Sequence, residues 1–141
     1  MRRLLVLGAV LGVCAVGVAG CGGSDSESSE GTPPEEEHSS SSAEALEQVR
    51  AIPALLDEAV TTYKSGDRNS AADAVGDVYL EHYEDVEGPL GERNHDLMEE
   101  IEEQISTELR NDMRTGKPES EIDALVADIK SNLQQAEQEL G

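Results

Sequence analysis

From Ala43 to Leu140 the apolar residues recur at three- and four-residue steps in four blocks, each closed by a turn signal. No stretch alternates with the period of two that a half-buried strand requires. Such a chain hides its apolar surface by folding into amphipathic helices and packing their stripes together. The first block, about 43–65, carries Leu46, Val49, Pro53, Leu56, Val60 and Tyr63; Pro53 predicts a kink and Ser65-Gly66 an end. Asp67 is placed to cap the second block, whose stripe is Ala71, Ala72, Val75, Val78, Tyr79, His82, Tyr83 and Val86, with Gly88-Pro89 closing it. The third, about 95–115, opens at Asn94 and turns Leu97, Met98, Ile101, Ile105 and Leu109 inward until Gly116 stops it. Pro118 suits the first turn of the fourth, whose stripe is Ile122, Leu125, Val126, Ile129, Leu133, Ala136 and Leu140. Short connections between such helices imply antiparallel neighbours. The expected fold is all-α, an up-down-up-down four-helix bundle over residues 43–141.

What precedes the bundle reads as an address. Met1-Arg2-Arg3 leads into an apolar run from Leu4 to Val18 and then into Val18-Ala19-Gly20-Cys21, the pattern of a bacterial lipoprotein signal with its lipobox. Residues 1–20 are expected to be removed and Cys21 to become the lipidated N-terminus. The run is short for a membrane span and is interrupted by Gly8, Gly12 and Gly17. A multiply acylated cysteine anchors stably where one chain binds only marginally, so the expected location is the extracytoplasmic face of a bacterial cell membrane. Residues 21–42, rich in Gly, Ser, Glu and Pro, read as a disordered tether with a reach on the order of 25 Å. His38 within it reads as spacer.

Composition narrows the chemistry. Cys14 belongs to the signal and Cys21 to the lipid, which leaves no thiol for a disulfide, a nucleophile or a thiolate metal site. Loss of Arg2 and Arg3 leaves eight basic residues against 31 acidic ones, a formal charge of −23. That field repels phosphate backbones, so nucleic acid is not an expected partner. With three tyrosines and no Phe or Trp, stacking platforms for bases or sugars are not expected either. No Gly-x-Ser-x-Gly elbow, phosphate-cradling loop or His-Glu-x-x-His motif occurs, and no enzymatic activity is expected.

The acids crowd the hairpin between the second and third helices: Glu81, Glu84, Asp85, Glu87, Glu92, Asp96, Glu99, Glu100, Glu102 and Glu103 lie there, with Arg93 among them. At 100° per residue Glu102 falls at the margin of its apolar stripe and Glu87 flanks Tyr83 and Val86, while Glu84 is rotated further out and Glu99, Glu100 and Glu103 face solvent. A half-buried glutamate needs a partner, because its unpaired charge is costly. Two readings stand side by side. In one, Arg93 supplies a structural salt bridge; in the other, Glu84, Glu87 and Glu102 hold a hard cation, with iron accepting carboxylate and imidazole. His95 joins the candidate set because Glu92-x-x-His95 has the spacing found in carboxylate-bridged di-iron bundles. His82, within its helix's apolar stripe, reads as a satisfied core histidine.

The run Val78-Tyr79-Leu80-Glu81-His82-Tyr83-Glu84-Asp85-Val86-Glu87-Gly88-Pro89-Leu90, followed by Arg93, Leu97 and Ile101-Glu102, resembles the extracytoplasmic helical region of bacterial members of the oxidase-dependent iron permease family. Tyr79, Leu80, Tyr83, Glu84, Glu87, Leu90, Arg93 and Glu102 carry the match, and the likeness covers roughly residues 67–140. The resemblance implies a helical domain associated with iron uptake. The permease's membrane helices and their Arg-Glu-x-x-Glu motif are absent, as is the His-x-x-Glu signature of imelysin-like lipoproteins. What it implies is therefore an accessory that binds iron or another metal cation and works beside an iron permease. The alternative is a helical interaction module of the cell envelope with no metal site.

Overall fold

The structure, a computed structural model, describes residues 41–141. The expected signal at 1–20, Cys21, His38 and the remainder of the tether up to residue 40 lie outside the described residues. The described part is all-helical, with four helices and no strand. Helix α1 is Ser42–Lys64. Helix α2 is one continuous run of Arg68–Val78, a π-helical segment Tyr79–Tyr83, and Glu84–Gly91. Helix α3 is built the same way from His95–Glu103, a π-helical segment Gln104–Leu109, and Arg110–Thr115. Helix α4 is Glu119–Leu140.

The ends follow local chemistry. Ser41 caps α1 and forms a capping box with Glu44, each side chain accepting from the other's backbone N–H, so the helix starts one residue before the expected boundary. Asp67 accepts from the Ser70 N–H and Asn94 from the Leu97 N–H, satisfying donors that a helix start leaves free. At the end of α3, Gly116 has φ +78°, Lys117 N–H donates to the Asp112 carbonyl, and Gly116 N–H donates to Asp112 and Met113. This is a Schellman ending, and its left-handed residue must be glycine. Arg68 lies so close that a Cβ at Gly116 would overlap its guanidinium.

Helix α1 runs unbroken through Pro53. One expectation about proline is corrected: Gly88-Pro89 does not close α2, because the helix continues to Gly91. An interior proline costs a helix about 3 kcal/mol, yet Val86 and Leu90 on either side of it are both wholly buried. Stopping at Gly88 would leave Leu90 in water, at a cost of about 1.5–3 kcal/mol. The turn comes only after Leu90, whose carbonyl accepts from both Arg93 and Asn94 N–H groups.

One core joins all four helices: Ile52 and Leu56 from α1, Val75, Tyr83 and Val86 from α2, Ile101, Ile105 and Leu109 from α3, and Ile122, Ile129 and Leu133 from α4. Along the outside of α1 and α4, Arg50 pairs with Glu137 at 2.6 Å, Asp57 with Lys130 at 2.5 Å and Lys64 with Asp123 at 2.7 Å. Partners descend α4 by seven residues as they ascend α1 by seven, two helical turns each time. Between α2 and α3, Asp73 pairs with Arg114 at 3.0 Å and the Tyr83 hydroxyl donates to the Met98 carbonyl at 2.7 Å. Among the described residues no helix is long and apolar enough to cross a membrane.

Candidate functional site

The two π-helical segments explain where the glutamates point. On α2 the fully buried positions step from Val75 and Val78 to Tyr83 and then Val86 and Leu90. The five-residue stride from Val78 to Tyr83 matches an i→i+5 turn. On α3 the buried residues are Leu97, Ile101, Ile105, Leu109 and Met113, spaced by four throughout. In an α-helix that spacing drifts by about 40° per step, and the wider π turn at Gln104–Leu109 takes up the drift. Glu84 and Glu87 follow the first π segment, and Glu102 precedes the second.

Tyr83 is the anchor of the site. Its ring is fully buried and its hydroxyl donates across to α3 at Met98. Tyr79, half-buried, packs its ring 6.2 Å from that of Tyr83 at 33°. Burial pushes both phenols well above the ordinary tyrosine range, and negative charge from Glu87 and Glu102 adds to it. Both hydroxyls therefore stay protonated and serve as donors.

Glu87 is half-buried, with Oε1 shielded from solvent and without a hydrogen-bond partner. Burial raises its carboxyl pKa above the usual 4.5; the Tyr79 hydroxyl works against the shift, and the charges of Glu102 and Glu84 reinforce it. The charged groups acting on Tyr79 and Glu87 are carboxylates, and no cation among the described residues acts on Tyr83 either. The one other shielded polar side-chain atom without a partner among the described residues is Arg110 Nε, at a different level of the same helix pair, where the guanidinium covers Gly76.

Among the described residues Arg93 forms no ion pair with these glutamates. Its guanidinium donates to the Glu139 backbone carbonyl and to the Ser42 hydroxyl, tying the loop after α2 to the end of α4 and the start of α1. The carbonyls of a last helical turn lack intrahelical donors and carry the negative end of the helix dipole, which makes them a natural seat for a cation. His95, the fourth candidate, sits at the start of α3. It is exposed and lies 3.3 Å from Glu99 on its own helix. His82 is half-buried rather than in the core, its Nδ1 2.7 Å from Gln48 Oε1.

Glu84, exposed, and Glu102, half-buried, are each within electrostatic reach of Glu87. Their oxygens are the right donors for a hard cation. As placed they do not enclose one, because among the described residues no three His, Cys, Asp or Glu side chains come close enough to hold a metal ion. The site is an electronegative patch around one shielded, partnerless carboxylate oxygen, able to take a proton from water or a positive charge from outside. No protein-family model, curated protein or solved structure matches the chain.

Proposed function

We propose that this chain is a bacterial lipoprotein, lipidated at Cys21 and held at the extracytoplasmic face of the membrane, that serves iron or other metal-cation uptake as a non-enzymatic accessory. The cation is the cargo, taken up at Glu84, Glu87 and Glu102 and passed to a permease. The single observation behind this reading is the shielded Glu87 oxygen, which has no hydrogen-bond partner while the nearby Arg93 is engaged elsewhere. A carboxylate that keeps its charge in such a place gains most from an external cation. The four helices run up-down-up-down, a topology supported by the opposite order of the paired residues along α1 and α4 and by the Asp73–Arg114 and Tyr83–Met98 links. The likeness to the iron permease region adds the identity of the cargo.

The absence of a ready cage among the described residues favours a second reading, an envelope interaction module with no metal. Thermal melting separates the two. A cation present at 100 times its dissociation constant stabilises the folded state by about 2.7 kcal/mol, on the order of 10 °C for a domain of this size. Iron should raise the melting temperature of the protein, and Glu87→Gln should abolish the rise. An unchanged profile with ferrous and ferric iron, copper, zinc and manganese leaves the interaction module.

A further inference from the structure

A groove of about 260 Å³ lies between α1 and α2, away from the glutamate patch. The small side chains Ala59 on α1 and Ala74 on α2 lie between the larger Leu55 and Val78 and give it an apolar strip, beside which the Thr62 and His82 side chains also line it. Exposed carboxylates rise on both banks, Glu58 from α1 and Asp77 and Glu81 from α2. Neither Lys nor Arg lines it. None of the three carboxylates takes part in the six ion pairs of the described residues, which employ Arg50, Lys64, His95, Arg114, Lys117 and Lys130 against other acids.

From this we infer that the groove is a docking site for a basic, amphipathic segment of a partner protein, which lays the aliphatic stem of a Lys or Arg on the floor and its charged head between the banks. Small-molecule pockets run from about 300 to 1,000 Å³ and enclose their ligand, whereas this trough is smaller and open. It suits one anchoring side chain of a larger surface. Long basic side chains are built for such a place, apolar along the stem and charged at the tip. An anchor seated this way, ringed by near-neutral contacts, is how a few residues come to carry most of an interface's affinity. The negative field of the whole chain speeds the encounter, and the groove decides where it ends. Nothing in this inference depends on Glu84, Glu87 or Glu102 binding a cation.

The test must separate the groove from the general acidity of the surface. A fluorescent twelve-residue peptide of alternating Leu and Lys is the probe, and its affinity is measured by anisotropy for the protein and two charge-matched variants. Asp77→Asn with Glu81→Gln should weaken binding on the order of tenfold. Glu103→Gln with Glu108→Gln, exposed acids of α3 outside the groove, should change it less than about twofold. Ala74→Leu fills the trough without altering charge and should weaken binding as the groove pair does, its fold checked by helical circular dichroism. The inference is overturned if the two charge pairs act alike, or if a Ser-Lys peptide binds as tightly as the Leu-Lys one. Undiminished binding to an Ala74→Leu variant that remains folded overturns it too.

Discussion

Helices α1 and α4 meet along a seam where three carboxylates each hold a cation; α2 and α3, joined at one level by Asp73–Arg114, carry at another the Glu87 patch, whose near neighbours are tyrosines and other carboxylates. Both faces are written with the same residue types and both rest on the same core. In the seam, charge follows the helical period and specifies which helix lies beside which. At the glutamate patch the helices depart from regular α geometry, and a shielded oxygen goes without a partner. Local rules that agree with one another build a fold, and the place where they disagree is where function is to be sought.

The largest effect should come from the anchor shared by fold and patch. Tyr83 fills the core where α2 widens and bonds α3 at the same time. Tyr83→Ala should cost about 3–5 kcal/mol, the usual range for deleting a buried aromatic ring. Tyr83→Phe keeps the packing and removes the hydrogen bond to Met98, at about 1 kcal/mol. Urea denaturation of the two variants checks the ratio. Equal losses would mean that the hydroxyl, not the ring, holds the patch together.

The next test addresses the carboxylate itself. Glu87 has a carboxyl pKa raised above 4.5 by burial, so the folded state holds its proton more tightly than the unfolded chain does. Stability from that preference is complete below pH 4.5 and is lost as pH rises through the folded-state value. Glu87→Gln, which is neutral at every pH, should therefore be more stable than the parent at pH 7, and the gap should close as pH falls below 4.5. The caps Glu44 and Asp67 have the opposite sign. Their hydrogen bonds hold them below the usual carboxylate range, so what they contribute is present at neutral pH and lost in acid. Melting temperatures of Glu87→Gln and parent across pH 4–8 read the difference directly. A gap that does not change with pH would mean that Glu87 has the same environment folded and unfolded.

How much of this was legible in the sequence depended on range. The caps Asp67 and Asn94, the stop at Gly116 and nearly every stripe residue follow from chemistry within a few positions, and the structure has them. The π segments were legible in principle: a stripe spaced by four from Leu97 to Met113 cannot stay on one face of an α-helix. The reach of α2 past Pro89 was hidden because a local breaker lost to the burial of Leu90, a tertiary effect. Nearness in sequence makes Arg93 one of two partners on offer to the glutamates. Its seat at Glu139, 46 residues away, exists only once the end of α4 has been brought beside the loop after α2.

The smallest effect should be in the seam, and it completes the contrast. The Asp57–Lys130 pair has the least exposed cation of the three, with 28 % of the Lys130 side chain accessible, yet it remains a surface pair. Asp57→Asn should cost no more than about 1 kcal/mol relative to Asp128→Asn, an exposed acid of α4 in no ion pair, which corrects for the relief of general repulsion. At 1 M salt, where screening acts within about 3 Å, the difference should shrink towards zero. The Glu87→Gln gap arises from burial rather than from long-range attraction, so it should survive the same salt. Urea midpoints of these variants in 0.05 M and 1 M sodium chloride would set the two faces against each other. If salt erases both differences, the Glu87 carboxylate is as well hydrated as the seam, and the two faces differ only in sign.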